Sequence, residues 1–274
     1  MLKATSLPKS TYYFEISKTD KDIKNREIIN QIEEIFDKNK GRYGFRRITA
    51  GLRNNGYLVN HKKVSRLMSK LGLRAIQSKQ KYHSYLGQVG HIAENIINRN
   101  FKATKPNEKW TTDVSQFNCP FGKCYLSPII DMGVGDVVAW DLSLSPNLEQ
   151  AKRMLNEAFK KYPNLENLVF HSDIGWQYQH GYYRQRLKEK GIIQSMSRKG
   201  NCLDNSVMES FFGVMKNEMF YGHEKEFKTF EQFKHAVAEY MDYYNNYRIK
   251  IKTKWMPPSK FREASMLGHV IIGL

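Results

Sequence analysis

The sequence is poor in cysteine and contains no long apolar run. Cys119, Cys124 and Cys202 are the three cysteines among 274 residues, and no C-x-x-C pair occurs. An odd number of cysteines without such a pair argues against a disulfide framework or a four-cysteine zinc site. No segment approaches the roughly 18 apolar residues that a membrane span requires, and the first residues lack the apolar core of a secretory signal. We therefore expect reduced thiols in a cytoplasmic protein without membrane contact.

Acidic residues are scarce in the first third of the chain. None occurs between Asp37 and Glu94, whereas Lys and Arg occur 13 times in the same stretch. The whole chain carries 44 Lys and Arg against 27 Asp and Glu, a formal net charge of +17. Because ordinary surfaces intersperse the two signs, this asymmetry favours a nucleic acid as partner. A basic surface that serves solubility is the alternative.

Three short helices are predicted in this basic region. Apolar residues recur at helical spacing over residues 25–36, and a shorter helix is predicted over about 45–53. Asn60 is a favourable N-cap for a third, basic helix, which Gly72 would end. This arrangement is typical of a helix-turn-helix module, which binds the phosphates of duplex DNA. A small basic helical domain without groove contact is the alternative.

From Lys109 onward the pattern changes to alternating residues rich in β-formers. Three strands are followed by helices and strands in alternation, which predicts a mixed α/β domain with a five-stranded sheet. The ribonuclease-H-like fold matches this order of elements. The predicted strands cover 110–117, 124–130, 137–142, 168–171 and 192–196, and the predicted helices cover about 146–161, 182–190, 205–220 and 229–246.

These patterns divide the chain into five segments. Residues 76–105 are rich in Gln, Ser, Lys and Tyr without clear periodicity, which is typical of a linker. The predicted organisation is an N-terminal segment (1–20), a small all-α helix-turn-helix-like DNA-binding domain (21–75), the linker (76–105), a ribonuclease-H-like core with C-terminal helices (106–265) and a tail (266–274).

Three acidic residues are candidates for catalysis in the second domain. Asp113 lies within the first predicted strand, Asp173 directly follows the fourth, and Glu209 lies beside the apolar stripe of a predicted helix. Carboxylates without His or Cys ligands favour a hard cation such as Mg²⁺ or Mn²⁺. Two such ions about 3.5–4 Å apart support phosphoryl transfer. Taken singly, each acid is more often a structural acceptor or a solvated charge.

The motifs around these acids resemble one known family. They are WTTD at 110–113, HSDIGWQY at 171–178, SMSRKGNCLDN at 195–205 and ESFF at 209–212. With their spacing, they resemble the DDE transposases of bacterial insertion sequences, specifically the orfB-type product whose catalytic core is similar to retroviral integrase. Further segments that resemble this family are GRYGFRRI at 41–48, NHKKVSRLM at 60–68, YNNYR at 244–248 and PPSKFR at 257–262.

The resemblance implies a transposase that cleaves DNA ends and transfers strands with two Mg²⁺ or Mn²⁺ ions. Asp113, Asp173 and Glu209 would be its catalytic and metal-binding residues, and His171 and Asn205 would support them. A basic residue seven positions after the glutamate is part of the family pattern, and Lys216 matches it. The expected DNA-binding residues are Lys216, Arg198, Lys199, Arg46, Arg47, Lys62, Lys63 and Arg66.

The resemblance also implies partners. Double-stranded DNA would be bound as element ends and as target, by a homo-oligomer in the nucleoid-associated cytoplasm of a bacterium. Family members usually act as a fusion with an upstream-frame product that carries a helix-turn-helix and a leucine zipper, so we expect such a fusion or partner. The alternatives are a non-catalytic DNA-binding regulator, an inactive transposase remnant and a ribonuclease-H-like nuclease.

Overall fold

The computed structural model describes residues 8–76, 92–199 and 201–272, without the side chains of residues 14–24 and 202. The chain forms two compact units that divide after Ile76. Among the described residues, no helix is long and apolar enough to cross a membrane. Cys119 and Cys124 are free thiols, and burial raises the pKa of each.

The first unit consists of three helices. They are α1 (Lys9–Lys38), α2 (Phe45–Asn54) and α3 (His61–Lys70). The second and third agree with the predicted helices, and the side chain of Asn60 caps α3 by accepting the Lys62 N–H. α1 begins at Lys9 rather than near residue 25, so it includes much of the predicted N-terminal segment 1–20. No Gly or Pro occurs over residues 9–38, so nothing in the backbone stops the helix.

The second unit is built on one mixed sheet. Its strands are β1 (Lys109–Thr112), β2 (Ser115–Cys119), β3 (Gly122–Asp131), β4 (Val137–Ser143), β5 (Val169–Ser172) and β6 (Ile193–Met196). They lie in the order β4–β3–β1–β5–β6, with β2 continuing β1 along β3. β3 is antiparallel to its neighbours, whereas β5 is parallel to β1 and to β6. The six strands thus fill five positions.

The strand predicted over 110–117 is interrupted at Asp113 and Val114. β1 and β2 nevertheless keep one continuous register against β3. Pro128 lies opposite Asp113 in this register and has no N–H to donate to the ladder. The Val114 N–H donates to Asp113 Oδ1 at 2.7 Å. The interruption therefore lies opposite a proline on the neighbouring strand, and Asp113 is outside the regular strand.

Helices cover both faces of the sheet. They are α4 (Leu148–Lys161), α5 (Trp176–Gln179), α6 (Gly181–Glu189), α7 (Ser206–Met215), α8 (Phe230–Asn246) and α9 (Pro258–Met266). A 3₁₀ turn (Cys202–Asn205) precedes α7, and a π-helix (Lys216–Phe220) continues it. The side chains of Asn147 and Thr229 cap α4 and α8, which begin close to the predicted helix starts. α9 was not predicted from the sequence.

The two faces of the sheet carry separate hydrophobic cores. Trp110 and Phe170 belong to one core, together with Met154 of α4. Phe117 belongs to the other core, which includes α7 and α8. Because side chains alternate along a strand, Asp113 shares the face of Phe117 in the common register. Asp113 is therefore directed toward α7.

Two regions predicted to lie outside the catalytic core pack onto it. In the second half of the predicted linker 76–105, Ile97 is buried and its N–H donates to Ser195 Oγ at 3.3 Å. In the predicted tail 266–274, Ile272 is buried. Both contacts join residues that are distant in sequence, and a local sequence pattern does not reveal such contacts.

Candidate active site

Two acidic residues follow the carboxyl ends of neighbouring parallel strands. β1 and β5 pair with Thr112 beside Ser172, so the next residues, Asp113 and Asp173, are neighbours across the two strands. Adjacent strands lie about 4.8 Å apart. The sheet thus brings two predicted catalytic residues to one edge, at the strand ends where α/β proteins commonly bind ligands.

Asp113 is buried and is held by neutral hydrogen-bond donors. The Asn205 side-chain amide donates to Oδ2 at 3.0 Å, and the Val114 N–H donates to Oδ1 at 2.7 Å. The Thr111 hydroxyl donates to Asn205 Oδ1 at 3.4 Å, which turns the amide NH₂ toward the carboxylate. Asn205, a predicted supporting residue, therefore contacts Asp113 directly.

Asp173 occupies a tight turn after β5. The Gly175 N–H donates to its Oδ1 at 2.9 Å. A Cβ atom at Gly175 would lie 2.9 Å from that oxygen and 2.7 Å from Gln177 Nε2, so a larger residue would displace these groups. Burial raises the pKa of Asp173. Burial, with the negative charges of Asp173 and Asp113, also raises the pKa of the Tyr178 phenol, so both carboxylates lie within electrostatic reach of one side chain.

Glu209 lies on α7 between two anchor points. Asn205, directly before α7, donates to Asp113, and the Lys216 ammonium, directly after it, donates to the Gln116 carbonyl at 3.0 Å. Residues 205, 209 and 216 share one helix face, so Glu209 is directed toward the interruption between β1 and β2. Glu209 is partly buried and burial raises its pKa. Within the described residues it forms no salt bridge.

The Lys216 ammonium lies inside the protein. The residue is 9% exposed, and Nζ lies 4.8 Å from the centre of the Phe117 ring. Burial lowers the pKa of Lys216 to about 8, and the negative charge of Asp113 opposes this shift. In this structure the Lys216 ammonium donates to the protein backbone. The contact of Lys216 with DNA stays a prediction.

His171, the other predicted supporting residue, is fully buried on β5. Its Nε2 lies 3.0 Å from the Asp204 carbonyl oxygen, and its Nδ1 lies 2.9 Å from Ser195 Oγ. Because a carbonyl oxygen only accepts, Nε2 carries the proton and Nδ1 accepts from the Ser195 hydroxyl. Burial lowers the pKa of His171, which favours this neutral form. His171 joins β5 and β6 to the turn before α7.

The other predicted DNA contacts fall into two groups. In the catalytic unit, Lys199 is exposed, whereas Arg198 is half exposed and donates two guanidinium hydrogen bonds of 2.8 Å to Asp204. In the helical unit, all predicted contacts lie on α2 and α3. Arg46, Lys62 and Arg66 are exposed there, and Arg47 and Lys63 are partly exposed. A shallow groove on this surface is lined by Phe45, His61, Lys62, Ser65, Arg66, Ser69 and Lys70.

Comparisons with known proteins identify the family. An HTH-like domain matches residues 23–81, and two integrase core domains match residues 103–202 and 209–266. InsK, the transposase described for insertion sequence element IS150 of Escherichia coli K12, is 46% identical over 98% of this chain and 95% of its own length. The transposase of IS904 from Lactococcus lactis is 34% identical over 87% of this chain and 94% of its own length. The chain belongs to the DDE transposases of insertion sequences.

The transposase is also similar in fold to a solved viral assembly. A chain in the structure of the simian T-cell lymphotropic virus intasome with PP2A regulatory subunit B56 gamma matches with a TM-score of 0.51 and 13% identity. The match covers 84% of the transposase and 74% of that chain. With the sheet order, it confirms the predicted ribonuclease-H-like fold. The relatives favour transposase function over the regulator, remnant and nuclease alternatives.

The donor set at this edge of the sheet suits a hard metal ion. Asp113, Asp173 and Glu209 offer only oxygen atoms, the ligands that Mg²⁺ and Mn²⁺ prefer. Burial raises the pKa of Asp173 and of Glu209, and a nearby divalent charge would favour their charged forms. Among the residues that the structure describes, no three His, Cys, Asp or Glu side chains lie close enough to hold a metal ion. The backbone aligns the acids, but their side chains do not form a closed ligand shell.

Two residues of this region were not predicted from the sequence. Asp204 is 1% exposed and accepts hydrogen bonds from Arg198. Asp204 directly precedes Asn205 and lies six positions after Arg198 in the sequence, and this spacing could have indicated it. Gln116 contacts Lys216 through its backbone carbonyl, so its side chain gave no signal.

Proposed function

We propose that the transposase binds two divalent metal ions, Mg²⁺ or Mn²⁺, between Asp113, Asp173 and Glu209. With these ions it would cleave DNA ends and join them to target DNA. The observation that carries this proposal is the register of β1 and β5, which brings Asp113 beside Asp173 on the α7 side of the sheet. Buried carboxylates are costly without compensating charge, and a pair of cations would offset that cost.

The hydrogen bonds around the three acids have distinct roles in this proposal. When bound, two divalent ions activate a water or a 3′-hydroxyl and stabilise the leaving oxygen of an in-line displacement. Asn205 holds the Asp113 carboxylate in one orientation, and the Gly175 N–H does the same for Asp173. Lys216 anchors the end of the helix that carries Glu209. Because water and DNA hydroxyls are the nucleophiles, no covalent link between enzyme and DNA is needed.

The helix-turn-helix-like unit is proposed to anchor double-stranded DNA. Arg46, Lys62 and Arg66 present positive charge on the surfaces of α2 and α3, and such side chains bind DNA mainly through its phosphates. We further propose that the transposase acts on element ends and target DNA as an oligomer in the bacterial cytoplasm, associated with the nucleoid. An upstream-frame product with a helix-turn-helix and a leucine zipper is its proposed fusion or partner.

The test is metal-dependent cleavage and strand transfer on DNA that carries the element's ends. Asp113→Asn, Asp173→Asn and Glu209→Gln each remove one metal-binding charge, and we expect each to lower turnover by at least about 10³-fold. DNA binding in a gel-shift measurement should be unchanged or slightly tighter, because repulsion of the phosphates decreases.

Asp141→Asn is the matched control for these variants. Asp141 lies on β4 and accepts two hydrogen bonds of 2.9 Å from Arg153. It pairs with Ser127, which lies opposite Val114 in the register, so its side chain is on the opposite face of the sheet from Asp113. It should leave turnover unchanged. Wild-type turnover in one of the three acid variants would remove that residue from the proposed set, and cleavage by the wild type in excess chelator would reject the proposal.

A further inference from the structure

Asp204 is a buried acid to which the proposed mechanism assigns no task. It is 1% exposed and belongs to the 3₁₀ turn before α7. Its carboxylate accepts hydrogen bonds of 2.8–3.1 Å from Nε, Nη2 and the backbone N–H of Arg198, from Nε of Arg99 and from Nδ2 of Asn95. Its hydrogen bonds with Arg198 hold the pKa of Asp204 well below its usual range. The carboxylate is therefore charged and has a donor on each oxygen.

The backbone of Asp204 is held as firmly as its side chain. Its carbonyl oxygen accepts the Nε2–H of His171 at 3.0 Å. His171 in turn accepts the hydroxyl of Ser195, whose Oγ also accepts the Ile96 N–H at 3.0 Å. Asp204 is thus tied to β5, to β6 and to the segment 95–99, three parts of the catalytic unit that are distant in sequence.

The residue after Asp204 orients a proposed metal ligand. Asn205 donates to Asp113 Oδ2 at 3.0 Å, and because it follows Asp204 directly, the place of Asp204 determines the place of this amide. We propose that Asp204 is a positioning residue for the metal site and acts by holding the Asn205 amide against Asp113. This inference rests on the proposed role of Asp113 as a metal ligand and assigns the groups that orient it.

The described backbone that leads to the 3₁₀ turn lacks regular secondary structure, so the side-chain contacts of Asp204 are needed to hold the Asn205 amide in place. The described residues between β6 and the 3₁₀ turn belong to neither helix nor strand, so no regular ladder fixes the approach to Asn205. The backbone of Asp141, in contrast, is already held by the pairing of β4 with β3. Groups that orient metal ligands typically change metal affinity or activity by about 10–100-fold when they are removed.

The test is the affinity of the full chain for Mn²⁺ alone, measured by electron paramagnetic resonance in the absence of DNA. We expect Asp204→Asn and Asn205→Ala each to weaken Mn²⁺ binding by about 10-fold. The double variant should bind Mn²⁺ about as weakly as Asn205→Ala alone, because Asp204 acts through Asn205. Asp141→Asn, which also removes an arginine-paired charge, should leave the affinity unchanged.

Surface variants keep the test available if Asp204→Asn does not fold. Arg198→Gln removes two side-chain hydrogen bonds to Asp204, and Arg99→Gln removes one. Both arginine side chains are half exposed, so these chains should fold. We expect the loss of Mn²⁺ affinity to be larger for Arg198→Gln than for Arg99→Gln. Because no DNA is present, a role of Arg198 in DNA binding would not affect this measurement.

Two results would overturn the positioning role of Asp204. One is unchanged Mn²⁺ affinity in a folded Asp204→Asn or Arg198→Gln chain, and the other is losses from Asp204→Asn and Asn205→Ala that multiply in the double variant. Asp113→Asn separates this inference from the proposed function. If Asp113→Asn abolishes Mn²⁺ binding and Asp204→Asn does not alter it, the positioning role alone fails. If Asp113→Asn also binds Mn²⁺ normally, the proposed metal site fails.

Discussion

Acidic residues lie near both ends of β1, and the partners of these acids differ. Near its first residues, Arg262 donates to Asp131 at 2.8 Å and to Asp136 at 2.8 and 2.9 Å. Beyond its last residue, Asp113 accepts from the Asn205 amide, and a backbone N–H group donates to Asp173. The same strand thus separates acids bound by a guanidinium from acids held by neutral donors.

The difference fits a structural role at one end and the proposed metal-binding role at the other. A guanidinium satisfies a buried carboxylate in both charge and geometry. An amide or a backbone N–H holds a carboxylate in place without cancelling its charge, so the charge can still attract a metal ion. Lys216 also brings a positive charge near Asp113, and burial lowers its pKa to about 8. The end that carries the proposed metal ligands is therefore the one whose hydrogen bonds described above come from neutral donors.

The largest effect on stability is expected at the structural end. Arg262→Gln leaves Asp131 and Asp136 buried without their guanidinium, so we expect the free energy of unfolding to fall by about 3–5 kcal/mol. Arg153→Gln is the control, because its side chain is 51% exposed and its loss should cost less than about 1 kcal/mol. Urea denaturation measures both. Equal losses in the two variants would show that burial does not set the strength of these ion pairs.

Lys216 offers an intermediate effect that depends on pH. Its pKa of about 8 lies below the value in the unfolded chain, so the unfolded state holds this proton to higher pH. The contribution of Lys216 to stability therefore rises from about pH 8 to about pH 10.4, by up to roughly 3 kcal/mol. Lys216→Met should lack this rise in urea denaturation series. Titration of the Lys216 side chain near pH 10.4, observed by NMR, would contradict the expectation.

The smallest effect is expected from the acids at the end proposed to bind metal. Burial raises the pKa of Asp173 and of Glu209, so their contribution to stability is present at acid pH and is lost as pH rises through the folded-state pKa. Without metal, Asp173→Asn and Glu209→Gln should be as stable as the wild type at pH 4 and slightly more stable at pH 7. The gain should be smaller than the roughly 1 kcal/mol by which substitutions typically destabilise. Clear destabilisation of both variants at pH 7 would place these acids with the structural ones.

Local signals predicted much of the fold. Asn60 marked a helix start that the structure reproduces, because a capping side chain acts on the next few residues. The interruption at Asp113 was not predictable in this way. It lies opposite Pro128, which becomes its neighbour only when β3 pairs with β1 and β2.

The candidate site shows the same limit. Spacing and surrounding motifs indicated Asp113, Asp173 and Glu209, and the sheet register explains how two of them become neighbours. The burial of Lys216 depends on a carbonyl 100 positions away in sequence. The bond between Asp204 and Arg99 spans 105 positions. Such partners are fixed by tertiary packing, which the local pattern of residues does not encode.

The continuous register of β1 and β2 restricts how this region can evolve. Trp110 packs into the core on one face of the sheet, and Phe117 packs into the core on the other. A single-residue insertion or deletion between them would turn one of these aromatic rings toward the wrong layer. Substitutions can therefore alter the chemistry at Asp113, but the number of residues between Trp110 and Phe117 cannot change by one.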